Sequence, residues 1–275
     1  MERRTYALLL SYDGTSFRGW QRQPPLPTVQ GAVEAALART LGRPLDLFAA
    51  GRTDAGVHAV AQVAHFHAKL PVDLASLRDG LRAHLPATIR LRAAAAASDS
   101  FHARSSSVGK RYRYRFSWGA KADGGQPAFW LGEAAAPRWD LARLSLEELS
   151  ALPHLSGLGS PSKGSKPAPP LDRFTLEVED RSATLTVQAK AFRKHQVRNL
   201  SGHLAAVALG LAEPASLSAL ARMTRPWRGA TAPPHGLTLL EVLYPPEVDP
   251  FLSADGQNGA EAALDLATTS AATSR

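Results

Sequence analysis

Gly51-Arg52-Thr53-Asp54-Ala55-Gly56-Val57-His58-Ala59 stands between two segments that read as strands, 45–50 and 59–68. A polar connection between two strands sits at the end of a sheet, and an ordered loop on such a scaffold is where chemistry usually lives. Gly51 and Gly56 bracket this one with residues that take positive φ or let a second backbone approach. Between them lie a cation, a hydroxyl and a carboxylate: Arg52, Thr53 and Asp54. By residue type alone, the same loop is also satisfied as a tight turn in which Thr53 and Asp54 bond their own backbone.

Outward from the loop, the pattern on either side predicts one supersecondary unit. Residues 5–12 read as a buried strand. Thr28 is placed to cap a helix carrying Val29, Val33, Leu37 and Leu41 at spacing four, with Gly42 to end it. After the strand 59–68, Asp73 caps a second helix through Leu74, Leu77, Leu81 and Leu85, stopped by Pro86, and 88–94 reads as a strand. Strand, helix, strand, strand, helix, strand is the order of a ferredoxin-like unit.

The second half repeats the theme more loosely. A strand covers 110–116, a helix starts at Trp139-Asp140 and runs to about Leu152, and 174–178 with 184–189 form a hairpin. A helix from His195 to about Leu211 follows, with Val197, Leu200, Leu204, Val207 and Leu211 on one face; then come a short helix at 216–223 and a closing strand at 239–244. The expected fold is therefore α/β of the α+β kind. It has two ferredoxin-like halves, 1–105 and 106–247, whose antiparallel sheets meet around a basic cleft. Residues 248–275, rich in Ala, Ser, Thr and Gly, are predicted to be a disordered tail.

Of the 275 residues 44% are hydrophobic and 20% charged, enough for a core without staples, and cysteine is absent, which removes disulfides and thiolate metal sites. The formal charge is +8, but the last 28 residues carry −3, so residues 1–247 hold +11. A body that basic points to a polyanion, with nucleic acid ahead of an anionic membrane because no basic amphipathic helix stands out. The apolar run 7–10 is too short for a signal peptide and no stretch is long enough to span a bilayer, so a cytoplasmic location is expected.

Other stretches fit an RNA partner. The loop Asp13-Gly14-Thr15-Ser16-Phe17-Arg18-Gly19-Trp20-Gln21-Arg22-Gln23 mixes aromatic faces with cations, although Trp20 is as readily a packing residue as a stacking one. Lys110-Arg111-Tyr112-Arg113-Tyr114-Arg115-Phe116 puts aromatics on one strand face and arginines on the other. His65 and His67 share a strand face, but with no cysteine and no third ligand signalled they read as surface or RNA-facing residues, and no metal is expected. Residues 157–170 read as a flexible Gly/Ser/Pro loop with Lys163 and Lys166.

Gly51 to His58 closely resembles the signature of the tRNA pseudouridine synthases of the TruA family. The likeness extends to Tyr12-Asp13-Gly14-Thr15-x-Phe17-x-Gly19-Trp20-Gln21, to Phe101-His102-Ala103-Arg104 with Arg111-Tyr112-Arg113-Tyr114, to Phe192-x-x-x-x-Val197-Arg198-Asn199-x-x-Gly202, and to Ala232-Pro233-x-x-Gly236-Leu237. It departs at Gln196, where methionine is usual, and at His154-Leu155-Ser156, where a His-Asp-Phe-Ser type motif is usual. The resemblance implies a homodimeric enzyme that isomerises uridine to pseudouridine at positions 38 to 40, on the 3′ side of the anticodon stem-loop of tRNA, with no cofactor. It implies that Asp54 is the catalytic aspartate, that Tyr112 lies against the target base and that Arg198 pairs with Asp54; Arg52, two residues from Asp54, is long and planar enough to bind substrate by filling the place a flipped base leaves. Whether Asp54 attacks ribose or uracil, or deprotonates the sugar, stays open. Two other readings are weighed beside it. One is a noncatalytic RNA-binding module. The other is an aspartyl-phosphate phosphatase suggested by Asp13-Gly14-Thr15, which wants an aspartate where this chain has Ser11.

Overall fold

The computed structural model describes residues 3–120, 126–133, 135–160, 168–223, 227 and 229–252. They form two compact units: the first lies within Met1–Val108 and regains the chain from Leu239, and the second is Gly109–Thr238.

In the first unit the elements are β1 (Arg4–Tyr12), α1 (Val29–Leu41), β2 (Phe48–Ala49), β3 (His58–Ala68), α2 (Leu74–His84) and β4 (Ile89–Ala97). β1 pairs antiparallel with both β3 and β4, and β2 pairs antiparallel with β3. The order β4-β1-β3 with β2 beside β3 is that of a ferredoxin-like sheet. A strand flanked on both sides and covered on both faces needs a continuous apolar run, and Tyr6 through Leu10 are all buried.

Both helices start and stop where local chemistry directs. Thr28 accepts from Gly31 N at 3.3 Å, and Gly42 ends α1 at φ 70°. Asp73 accepts from Ser76 N at 2.8 Å. Leu85, whose backbone is extended as a residue before proline must be, ends α2. Two strands differ from expectation. The segment 45–50 yields only the two residues of β2, because Leu47 N–H donates to the Glu34 carboxylate and Leu47 C=O accepts from Gln30 Nε2, spending on α1 the groups a ladder would use. β4 runs past Ala94 to Ala97 because β1 keeps pairing with it as far as Thr5 opposite Ala97. Alanine is a weak strand former, and here the neighbouring ladder decides.

In the second unit the elements are β5 (Gly109–Ser117), β6 (Phe129–Trp130), α3 (Trp139–Ser150), β7 (Arg173–Val178), β8 (Ser182–Ala189), α4 (Gln196–Ala208) and α5 (Ser216–Ala221). The order β5-β8-β7 is antiparallel throughout, and the short β6, which no sequence pattern announced, runs parallel to the end of β5. The aromatic face of β5 is its core face: Tyr114 and Phe116 are fully buried, and the Trp139 ring of α3 lies 4.8 Å from that of Phe116.

α4 ends before the expected Leu211. Gly210, at φ 72°, donates to Val207 C=O and Leu211 donates to Ala206 C=O, a left-handed stop that leaves Leu211 77% exposed instead of on the buried face. The ends of the 157–170 segment are not loose either: Leu158 is buried and Leu155 N donates to Ala168 C=O at 3.1 Å, while Lys163 and Lys166 lie outside the described residues. The last strand, β9 (Leu237–Leu243), follows β3 in the strand order. Of the predicted tail, 248–252 form a hydrogen-bonded turn on Pro245 and Asp249; 253–275 lie outside the described residues. Among the described residues no helix is long and apolar enough to cross a membrane.

Candidate active site

The loop between β2 and β3 is anchored through its backbone and through the Thr53 side chain. Gly51 C=O accepts from Gln62 Nε2 at 2.9 Å. Thr53, buried, meets the Tyr12 hydroxyl at 2.9 Å and gives its carbonyl to Trp20 N at 3.0 Å. Val57 N turns back to Asp54 C=O at 3.2 Å, and Gly56 N reaches Phe17 C=O at 3.3 Å with Gly56 at φ 77°. Arg52 is exposed and Asp54 is half-buried at the crest of this turn.

The segment 13–20 braces the loop from behind. Gly19, at φ 93°, passes so close that a Cβ there would sit 2.7 Å from Thr53 O. His58 Nδ1 stands 3.2 Å from Gly14 N and 3.1 Å from Asp13 Oδ1; a neutral ring accepts from Gly14, a protonated one donates to Asp13. Partial burial raises the Asp13 pKa, but bonds from the Thr15 hydroxyl and backbone, and then His58, outweigh it and hold the carboxyl below its ordinary range. Asp13 is thus a clip for its own turn. Trp20 is 2% exposed and packs 6.1 Å from the Tyr12 ring, so it is a core residue. Burial pushes the Tyr12 phenol up to about 12, against the smaller opposing effects of its bonds to Thr53 and Gln62, which keeps its proton available for hydrogen bonding.

In the second unit Tyr112, 7% exposed on β5, meets the Phe192 ring edge-on at 5.1 Å. Arg198, half-buried in the first turns of α4, donates from Nε to Ala232 C=O at 2.9 Å, while Ala232 N donates back to Arg198 C=O at 3.0 Å. The 230–232 strand of chain can lie on the helix because position 202 is glycine: a Cβ there would be 2.4 Å from Ala230 O. Asn199 completes the clamp, giving Nδ2 to Leu158 C=O and accepting from Thr231 Oγ1, both at 2.6 Å. Tyr114, whose pKa burial raises against the opposing charge of Arg198, donates to Pro233 C=O at 2.8 Å. Arg52 and Asp54 therefore share one braced loop of the first unit; Tyr112 and Arg198 belong to the second, on a core strand and the helix beside it.

The expectation that His65 lies at the surface needs correction. His65 is fully buried, its Nδ1 accepting from Ala103 N at 3.2 Å, and His67 is tied through Nδ1 to Thr5 Oγ1 at 3.0 Å. The His102 ring lies 4.6 Å from His65, and Phe48 stacks on His65 at 5.3 Å. His65 is thus a core residue rather than a surface one, while His67 and His102 are half-buried and Phe48 is exposed beside it. Among the described residues no group of His, Cys, Asp or Glu is placed to hold a metal ion.

Burial first, then the charges of His102 and His67, push His65 down from 6.5 to about 4. A proton then prefers the unfolded chain, so this histidine's contribution is complete above pH 6.5 and declines as pH falls toward 4, by at most about 3 kcal/mol. Urea unfolding at pH 7 and at pH 4.5 should show the parent losing about 2 kcal/mol more than His65→Phe does over that interval. Equal losses would show that another group sets the acid limb.

A family model described as tRNA pseudouridine synthase matches residues 9–104 and 161–245, a span that takes in the Asp54 loop, its 13–20 brace and the Arg198 helix. The chain belongs to that family. The tRNA pseudouridine synthase A of Syntrophotalea carbinolica is 36% identical over 259 residues, covering 87% of this chain and 96% of that protein. The tRNA pseudouridine synthase A of Methylacidiphilum infernorum is 39% identical over 251 residues, covering 88% and 96%. As a pseudouridine synthase the protein is an isomerase that converts uridine to pseudouridine in tRNA.

Sequence reading missed the supports of this synthase. Tyr12 passed as one more strand residue; the signal was a polar-tipped aromatic at the end of an otherwise aliphatic strand, directly before Asp13-Gly14. Asn199 lies off the apolar face of Val197, Leu200 and Leu204, and its only signal was its place beside Arg198 in the Val197-Arg198-Asn199 motif.

Proposed function

We propose that this synthase modifies uridines on the 3′ side of the anticodon stem-loop, with the Asp54 carboxylate carrying the chemical step. The observation that supports it best is the placement within one loop: Thr53, Gly56 and Val57 are held by hydrogen bonds to fixed partners, and that braced turn presents the loop's single carboxylate, half-buried, at its crest. A group that must meet a reacting atom within a fraction of an ångström needs this kind of backing. The reaction breaks the bond from ribose to the uracil nitrogen, turns the base and rejoins it through carbon, so atoms balance without redox or a phosphate donor.

The target base must leave its stack, which costs a few kcal/mol. Tyr112 is assigned to receive the base on its ring and Arg198 to act as the partner cation of Asp54, both on the strength of the family resemblance. A homodimer and a cytoplasmic setting belong to the same reading. The test is to incubate the purified protein with unmodified tRNA and map pseudouridine by chemical labelling and primer extension. Product confined to the 3′ side of the anticodon stem-loop supports the reading, and product elsewhere overturns the site assignment.

Arg52 separates charge from shape. It is exposed and two residues from Asp54. If its planar guanidinium fills the gap left by the flipped base, lysine is a poor substitute. Arg52→Lys should then lose at least tenfold in kcat/KM on tRNA, about 1.4 kcal/mol, and much less on a short RNA whose target uridine is already unstacked. Equal activity of Arg52→Lys and parent on tRNA would make Arg52 an ordinary phosphate contact.

A further inference from the structure

The second unit's sheet has two faces of opposite character. Its core face is aromatic and aliphatic. On the other, β5 presents Arg111, Arg113 and Arg115, and directly across from them β8 presents Gln188, Thr186 and Thr184. β7 completes the rows with Arg173 beside Gln188, Thr175 beside Thr186 and Glu177 beside Thr184. The β7 positions are exposed and the others half-exposed. Three strands wide and three residues long, this face contains no apolar side chain and sets four arginines against one glutamate.

Such a face is costly unless an anion meets it. Successive arginines on β5 stand about 7 Å apart along the strand, and like charges in neighbouring positions repel. Burial and then the charge of Arg115 both disfavour the charged form of Arg113. Arg111 donates to Gln188 Oε1 and Arg115 donates from an NH group to Gln126 Oε1, but the buried Nε atoms of Arg113 and Arg115 have no hydrogen-bond partner among the described residues. A protein partner is a poor match, since protein interfaces centre on apolar and aromatic anchors, which this face lacks. Guanidinium, hydroxyl and amide groups together are the set that positions phosphodiester backbones.

We propose that this face of β5, β8 and β7 is a second RNA-binding surface, taking the phosphate backbone of the tRNA outside its target stem-loop. It rests on the reading above in one respect: Tyr112, assigned to the target base, points to the opposite side of β5 from the arginines, so the RNA on this face is a different part of the molecule. The surface adds affinity without touching the chemistry.

The experiment uses the full chain carrying Arg113→Gln, Arg115→Gln and Arg173→Gln together, with Arg173→Glu alone as a single change at an exposed position. On whole tRNA the triple variant should keep kcat while KM rises about tenfold or more at moderate salt, and the salt dependence of tRNA binding should flatten by about three units of log–log slope, one per cation removed. Arg173→Glu should shift KM the same way by severalfold. KM for an isolated anticodon stem-loop should be unchanged. Unchanged tRNA binding and salt slope would overturn the proposal. So would an equal loss on tRNA and stem-loop, which would make the face part of the target subsite, or a change in molecular mass without a change in RNA binding, which would make it a contact between copies. Binding is measured directly on tRNA, so absence of pseudouridine in the parent would defeat the functional reading and leave the surface test standing.

Discussion

Asp54→Asn is expected to remove pseudouridine formation, by about a thousandfold or more, while tRNA affinity stays within about threefold. The size follows from what one carboxylate contributes when it acts as nucleophile or proton acceptor at the reacting atom, a role no amide can take over. The affinity follows from arithmetic of a different kind: residues 1–247 carry +11, and one neutralised carboxylate among so many cations changes the long-range attraction little. The variant should also fold, because the loop is held through backbone groups that the substitution keeps. Val57 N still meets the carbonyl of residue 54, and Thr53, Gly51 and Gly56 keep their partners. Single-turnover assays with tRNA in excess over its dissociation constant separate chemistry from binding. Turnover within tenfold of the parent would remove Asp54 from the chemistry and return the loop to the plain turn it could also have been.

The parts of this molecule that were legible in its sequence are those set by neighbours along the chain. Thr28 with Gly42, and Asp73 with Pro86, mark helix ends because a cap or a stop needs only three or four residues. The alternation of Tyr112, Tyr114 and Phe116 with arginines announced a two-faced strand for the same reason. What could not be read depends on residues far away in sequence. β2 is short because Glu34, on a helix that precedes it, takes the Leu47 amide. His65 passed as a surface residue because His102 and Ala103 reach it only in the folded unit. The charged crest of the candidate site was legible as Arg52 and Asp54, yet its supports were not: Tyr12 and Thr53 are 41 residues apart, and Arg198 and Ala232 are 34 apart. A motif names the groups that do chemistry; the fold supplies what holds them still.

Gly14→Ala should be a severely damaging substitution at the candidate site, and the reason is backbone proximity. A Cβ at position 14 would lie 2.0 Å from Val57 O and 2.6 Å from Val57 C, and neither can rotate away as a side chain could. Relief requires the 13–20 segment to move off the loop it braces. That movement stretches the bonds from Gly14 N to His58 Nδ1, from Gly56 N to Phe17 C=O and from Trp20 N to Thr53 C=O together. A loss of about 3 kcal/mol in stability is expected from overpacking at this closeness. A shift of about 1 Å in the loop would cost on the order of a hundredfold in kcat. Gly42 supplies the control. It holds φ 70° at the end of α1 with nothing within 4 Å of its would-be Cβ, so Gly42→Ala should cost about 1 kcal/mol from the left-handed backbone alone and leave kcat untouched. Melting curves and single-turnover rates of the two variants decide the matter. If Gly14→Ala behaves like Gly42→Ala, with a modest loss of stability and full kcat, then the 13–20 segment merely covers the loop and Asp54 is positioned without it.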